Sequence, residues 1–255
     1  VNDFGERLLR GLSGRVLVIT GSGISADSGI PTFRGVDGYW RNYRAEELAT
    51  PAAFNRQPDV VWSWYRERRA IISPAQPNAA HFALVALARQ CQDFLLVTQN
   101  VDDLHERATA VGHSLSASDI VHVHGEIFVT RCPKCGFSVR ERDASVTEAP
   151  PPRCPKCTAM IRPGVVWFGE QLDPTVGGQV EDFIKTRCDV ALVVGTTSAF
   201  DYIQRWALTA RGRNGWLVEI NPDETILSHR ADQVIRGRAA EVLPDLVASA
   251  FGAKG

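Results

Sequence analysis

No apolar run in this 255-residue chain approaches the roughly 20 residues that a membrane-spanning helix needs, so no membrane partner is expected. An excess of charge of one sign is also missing. The formal net charge is -1, which gives no global basic field to argue for nucleic acid. The first ten residues, "VNDFGERLLR", contain no apolar core of a signal peptide. The cytoplasm is the expected compartment, and a chain that starts at Val1 leaves a removed presequence open. No internal repeat or low-complexity tract is evident. Six cysteines do not make a secreted disulfide framework, which favours short, cysteine-dense chains.

Hydrophobic residues make up 44% of the chain and charged residues 22%, ordinary proportions for a soluble globular protein. The length suits one large domain, or a domain with a smaller insert. Short Val-, Ile- and Leu-rich runs recur: "RVLVIT" (15–20), "FLLVT" (94–98), "IVHVH" (120–124), "VALVVG" (190–195) and "WLVEI" (216–220). Most do not alternate, which is how strands buried on both faces of a parallel sheet read. Helical patterns separate them near 3–12, 58–72, 78–90, 103–110, 177–186, 200–210 and 243–251. The expectation is an α/β fold, a Rossmann-like parallel sheet with helices on both faces. Two segments break the rhythm: a helical insert at 36–75 and a cysteine-bearing insert at 128–165. Together they are expected to form a small domain. The sheet domain then comprises 1–35, 76–127 and 166–255.

The cysteine insert has a sharp signature. Cys132 and Cys135 are two residues apart, as are Cys154 and Cys157, and 18 residues separate the pairs. Each pair reads "CPKC". Two such knuckles supply four thiolates, the ligand set of a tetrahedral zinc site. Four protein ligands leave no open position for water, so the expected Zn2+ is structural. Free or redox thiols are the competing reading. Cys91 and Cys188 stand apart and read as buried small residues.

Gly21-Ser-Gly23-Ile-Ser-Ala26 follows the first apolar run and fits G-x-G-x-x-G/A. Such glycines permit a tight turn and close approach of a pyrophosphate, with a helix start behind to receive it. A mere tight turn is the alternative. No strand ending in an acidic residue appears about 20 positions on, so an ordinary dehydrogenase site is not indicated. Ribose contacts must come from elsewhere, such as Asn221 after 216–220.

"GSGISADSGIPTFRG" (21–35), "TQNVDDLH" (98–105), "HVHGE" (122–126), the cysteine quartet, "PGVVWFGE" (163–170), "GTTS" (195–198) and "EIN" (219–221) occur in that order. Together they resemble the sirtuin family of NAD-dependent protein deacylases, over about residues 14–245. Ser22 departs from the family's usual Ala, and Thr197 varies its Gly-Thr-Ser loop. The resemblance implies NAD as co-substrate, held by Gly21, Ser22, Gly23, Ser25, Ala26, Asp27, Gln99, Asn100, Asp102, Gly195, Thr196, Thr197, Asn221, Asp223 and Ala239. It places Phe33 and Arg34 on a loop closing over the nicotinamide ribose. Asn100 would position that ribose and Asp102 the carboxamide, although on spacing alone Asp102 or Asp103 reads as a helix cap.

The family's "HG" pair falls on His124. His122 and His124 share a strand face by period 2, and His124 is the one that can emerge into a cleft beside Gly125. An imidazole suits general-base work near neutral pH. The resemblance implies that His124 takes a proton from a ribose hydroxyl, after the acyl-lysine oxygen has displaced nicotinamide. The products are then free lysine, nicotinamide and O-acyl-ADP-ribose. His122 reads as a supporting residue and His81 as structural. Acylated lysine in proteins or peptides is the implied substrate. It is expected to add as a strand along Val166, Trp167, Phe168 and Gly169, opposite the segment after Ser198. A monomer is expected.

"WSWYRERRA" (62–70) lies on a helical pattern, and Tyr65 and Arg68, three apart, share a face. This Tyr-x-x-Arg resembles the pair marking the sirtuin branch that handles succinyl, malonyl or glutaryl lysine. A guanidinium grips a carboxylate bidentately, with a phenol alongside. On spacing alone, a solvated basic face with a core Tyr65 fits as well. Three rivals complete the reading. One is a plain deacetylase or mono-ADP-ribosyltransferase, using the same NAD site. Another is a non-catalytic NAD sensor, which would need no base. The third is a zinc-ribbon nucleic-acid binder using Lys134 and Lys156, whose patch Glu141, Asp143 and Glu148 dilute.

Overall fold

A computed structural model describes residues 3–32, 39–40, 43–112, 116–141 and 151–252. The chain opens with α1 (Asp3–Gly11), β1 (Arg15–Thr20) and the two-residue strands β2 (Tyr39–Trp40) and β3 (Tyr43–Arg44). Four helices follow: α2 (Ala45–Leu48), α3 (Pro51–Arg56), α4 (Pro58–Ile72) and α5 (Ala79–Ala88). Next come β4 (Asp93–Thr98), α6 (Leu104–Gly112), β5 (Ile120–His122), β6 (Gly125–Arg131), β7 (Ser138–Arg140) and β8 (Arg162–Val165). The chain ends through α7 (Pro174–Lys185), β9 (Val190–Val194), α8 (Asp201–Arg211), β10 (Trp216–Ile220), β11 (Gln233–Ile235) and α9 (Ala239–Phe251).

The apolar runs do form one parallel sheet, in the order β11-β10-β9-β1-β4-β5. Its residues divide by parity between two cores. Val16, Val18, Leu96, Leu192, Val194, Val218 and Ile220 pack with Leu8 of α1, Leu84 of α5 and Leu243 of α9. Leu17, Ile19, Leu95, Val97, Ala191, Val193 and Leu217 meet Val180 of α7 and Trp206 of α8 on the other face. Both faces are buried, which is why the strands read as continuous apolar runs.

A third core lies off the sheet. Leu48, Phe54, Trp62, Trp64, Tyr65 and Ile72 from α2 to α4 pack with Ile127 and Phe128 of β6, Ile161, Trp167, Cys132 and Cys154. It draws on both inserted segments. A small antiparallel sheet, β7-β6-β8, forms its other wall. The sequence pattern did not reveal these strands. β7 and β8 are only three and four residues long, β8 meets β6 from far along the chain, and β8 contains Pro163 and Gly164. Arg69 fastens helix to sheet. Its guanidinium donates to the carbonyls of Ile127 at 2.6 Å and Val129 at 3.1 Å, and to Thr130 Oγ1 at 3.0 Å. The "RERR" stretch is therefore not a uniform solvated face, since Arg69 is buried.

β5 ends at His122, two residues earlier than expected, and Val123 and His124 form the tight corner into β6. Gly125 makes that corner possible. Its φ is +74°, and an added Cβ would lie 2.2 Å from the Gly164 carbonyl oxygen. Gly125→Ala combines a left-handed backbone with a backbone clash and should cost about 3 kcal/mol of stability, read by urea denaturation. A loss under about 0.5 kcal/mol would contradict this account of the corner.

Candidate active-site cleft

The cleft forms where the strand order reverses. From β1 the chain moves to β4 and β5 on one side, then returns to β9, β10 and β11 on the other. Crevices at such switch points, outside the carboxyl ends of strands, are where open α/β sheets gather ligands. The loops after β1 and β9 are pulled together. Gly21 N–H donates to Val194 O at 3.0 Å and Gly23 N–H to Gly195 O at 2.8 Å. A Cβ on Gly23 would sit 2.8 Å from Gly195 Cα, so this glycine is required by the neighbouring loop as well as by any ligand. No α-helix follows the glycine loop. Two single 3-10 turns, Ser22–Ile24 and Ala26–Ser28, take its place, so any anion meets short turns rather than a long helix dipole.

The cleft has a volume of about 1060 Å³, and its lining draws on all three cores. Gly21, Ser22, Gly23, Ala26 and Asp27 line one end with Gly195, Thr196, Thr197, Asn221, Asp223 and Ala239. Asn221 Nδ2 donates to Thr196 O at 2.9 Å, and Gln99 Nε2 donates to Thr196 Oγ1 at 3.0 Å. Arg238 bonds Asp27 across the mouth. Ser198 holds a left-handed backbone, φ +55°, and its buried Oγ has no partner among the described residues. Phe33 and Arg34 lie outside the described residues.

A buried polar chain underlies Asn100. Asn100 Nδ2 donates to Ser25 Oγ at 3.1 Å, and Ser25 donates to Asp102 Oδ2 at 3.0 Å. Asp102 Oδ1 accepts from Leu104 N–H at 3.1 Å, so Asp102 does cap α6 as spacing alone suggested. Burial raises its pKa, opposed by those two bonds. Ser25, Asn100 and Asp102 share a narrow recess beside the main cleft, together with Arg68.

The two histidines of "HVH" have opposite environments. His122 Nδ1 faces Asn100 O at 3.1 Å and Nε2 faces Glu106 Oε1 at 2.5 Å. Both partners are acceptors, which favours a hydrogen on each nitrogen, the cationic form. Burial alone would lower its pKa, but the Glu106 carboxylate outweighs burial and raises it. His124 meets one carbonyl, Gln99 O at 2.9 Å, and burial lowers its pKa. Its ring lines the cleft. His81 is buried within the N-terminal cap of α5, and burial pushes it down to about 4.

Tyr65 and Arg68 line the cleft wall contributed by α4. Tyr65 Oη accepts from Trp167 Nε1 at 2.9 Å, which leaves its own hydrogen to donate. Arg68 lies over the Trp64 ring at 5.5 Å. Val166, Trp167, Phe168 and Gly169 border the same wall. Their amides are partly spent: Val166 N–H on His124 O at 2.8 Å, Trp167 N–H on Glu170 Oε2 at 2.8 Å and Phe168 N–H on Ala49 O at 2.8 Å. Glu170 also clamps Arg162 at 2.5 and 2.9 Å, with the guanidinium 3.4 Å from the Trp167 ring centre.

The Sir2 family pattern matches residues 21–200. The chain belongs to the Sir2 family. NAD-dependent protein deacylase 1 of Archaeoglobus fulgidus is 44% identical over 244 residues, 95% of this chain and 96% of its own length. A crystal structure of a Sir2 homologue in complex with NAD superimposes with a TM-score of 0.86 at 43% identity, covering 96% of this chain and 93% of that one. A Sir2 protein bound to a myristoylated histone peptide gives 0.75 at 27% identity, covering 98% and 97%.

The sirtuin's four cysteines meet as the spacing expects. All are free, their Sγ atoms lie within 4.8 Å of one another, and two pairs are 3.5 Å apart. Disulfides would need about 2.05 Å. Thiolates around zinc at about 2.3 Å stand about 3.8 Å apart, so the cluster fits that ion. Each knuckle closes alike: Cys132 N–H to Phe137 O and Cys154 N–H to Ala159 O, both 2.7 Å. Cys132 and Cys154 also belong to the third core. Chelation of zinc should therefore raise amide exchange across 128–140 and 152–165, with the parallel sheet still protected. Unchanged exchange in a metal-free sample would refute a structural zinc.

Proposed function

We propose that this sirtuin is an NAD-dependent protein-lysine deacylase, selective for acidic acyl groups such as succinyl, malonyl or glutaryl. The neutral His124 ring, aimed into a cleft that also holds the glycine loops, carries the first part of this reading. When bound, NAD would supply the ribose carbon that takes the acyl oxygen as nicotinamide leaves, and one water would complete the transfer to give free lysine and O-acyl-ADP-ribose. Gly21, Ser22 and Gly23 hold its phosphates with Thr196 and Thr197. Asn221 and Asp223 take the far ribose. Ser25 orients Asn100 and Asp102 toward the nicotinamide end. His124 Nδ1 donates to Gln99 O, so Nε2 carries the lone pair that takes a proton from a ribose hydroxyl. We read the chain as two lobes, a sheet lobe of 1–35, 76–127 and 166–255 and a second of 36–75 and 128–165. Acyl-lysine enters between them. With three of its amides and the Trp167 carbonyl already bonded, the Val166–Gly169 segment pairs with a substrate strand through its remaining carbonyls.

His124→Ala should abolish O-acyl-ADP-ribose formation while the thermal midpoint and zinc content stay near wild type. Burial lowers the His124 pKa, so the ring stays neutral below its ordinary value of 6.5. The acid limb of kcat/KM is then expected below pH 6.5, because activity is lost only as pH falls through the depressed value. Mass spectrometry of NAD reactions with acylated peptides measures both. Turnover in a folded His124→Ala protein would remove this residue from the mechanism.

The Tyr65 and Arg68 placement supports the acyl preference: one donor hydroxyl and one guanidinium face the same cleft. A charge-assisted bond contributes roughly 1.5–3 kcal/mol, or about 10- to 150-fold. Arg68→Met should lower kcat/KM for a succinylated peptide by that factor and leave the acetylated peptide within about threefold. A wild-type preference for acetyl, unchanged by the substitution, would leave a plain deacetylase.

A further inference from the structure

The lone pair on His124 Nε2 already has an occupant. The Gln99 carbonyl fixes the hydrogen on Nδ1, and the phenol hydroxyl of Tyr202 meets Nε2. Burial keeps the imidazole neutral and raises the phenol pKa, so the phenol retains its proton and donates it to the ring. Tyr202 lies in the first turn of α8, and its ring is held on one side. It stacks on Phe200 with centroids 5.4 Å apart at 19°, and packs edge-on against buried Trp206 at 5.1 Å. Phe200 also meets the His124 ring edge-on at 5.4 Å. The other side of both rings faces the open cleft.

A base whose lone pair is filled cannot take a second proton there. Either the incoming hydroxyl displaces the phenol, or the proton passes through it. Passage requires the phenol to give up its own proton, which its raised pKa disfavours, whereas displacement needs only a side-chain rotation toward the cleft. We propose that Tyr202 is a positioning residue: its hydroxyl occupies His124 Nε2 in the resting protein and yields that place to a ribose hydroxyl of the dinucleotide. The proposal rests on the NAD reading above. It makes a cost of opening the site part of the binding equilibrium.

Tyr202→Phe keeps the ring contacts and deletes the hydroxyl. By calorimetry, NAD should bind the variant about 2- to 12-fold more tightly, the weight of one net hydrogen bond. AMP, which lacks the second ribose, should bind both proteins alike. KM for NAD should fall by a similar factor with kcat not lowered. The 15N resonance of His124 Nε2 should move in the wild type when NAD is added, as the phenol is exchanged for a ribose hydroxyl, and in the variant it should start from the value of a ring without the phenol donor. Equal NAD affinity in both proteins, or a static wild-type resonance under saturating NAD, overturns the proposal. A lowered kcat at unchanged KM also overturns it, and makes Tyr202 a proton relay. If neither protein binds NAD, the failure belongs to the NAD reading instead.

Discussion

Two glycine loops touch at the tips of β1 and β9, and the cleft exists because they do. The Gly23 amide reaches the Gly195 carbonyl at 2.8 Å, a distance no side chain on either residue would allow. The contact joins the ends of two central, adjacent strands, where the chain's winding reverses. It fixes the floor against which Gln99, Thr196 and Asn221 brace one another. A glycine fingerprint in a sequence is usually credited to the ligand's phosphates. Here the protein's own packing already demands it, so the residues would be needed even in a relative that bound nothing.

The buried polar groups divide into those that are consumed and those that remain available. Ser25 accepts from Asn100 and donates to Asp102, so its hydroxyl is fully used in holding them. His122, two residues from His124, is consumed too. Its nitrogens face a carboxylate and a carbonyl, which favour the cationic form and leave it no lone pair aimed at the cleft. His124 faces one carbonyl and one hydroxyl, and burial holds it neutral. Neighbouring groups of one chemical type thus acquire separate roles through their surroundings. Strand period does not relate the two rings, since β5 ends at His122 and His124 lies in the corner beyond it, and the environment decides which is a base.

Features written in local pattern were legible in the sequence. Runs buried on both faces announced the parallel sheet, and the cysteine spacing announced the four-thiolate cluster, because neighbouring residues carry each signal. The motifs also located the cleft, and the ends of the strands brought Gly21, Asn100, Gly195 and Asn221 together there. What escaped depends on distant pairs. Within the β7-β6-β8 sheet, the pairing of β6 with β8 joins residues as far apart as Gly125 and Val165, and β8 carries Pro163. Arg69 looked like one of several surface charges, yet its partners lie about 60 residues on. Tyr202 meets His124 across 78 residues, and nothing in "SAFDYI" signals it. The missing helix after the glycine loop is a local matter: Ser25, Ser28 and Gly29 favour turns, and Gly29 adopts φ +80°.

One side chain couples the two halves of the proposed chemistry. Trp167 donates to Tyr65 on α4, packs at a tilt against Phe54 at 5.1 Å and carries Arg162 on its ring. Its neighbour Val166 is bonded to the carbonyl of His124 itself. The distance between the group that would read the acyl end and the base near the ribose therefore runs through two adjacent residues of one short segment. Glu170 braces that segment from behind by accepting from Trp167 N–H and Arg162 together. A rigid segment of this kind fixes the depth at which an acyl-lysine can sit. On the proposed reading, exchange of Arg68 would change which acyl end is held, but the reach from that end to His124 would stay where Trp167 and Val166 set it. Selectivity can thus vary on α4 without disturbing the base, because the two are joined through packing and not through a shared charge.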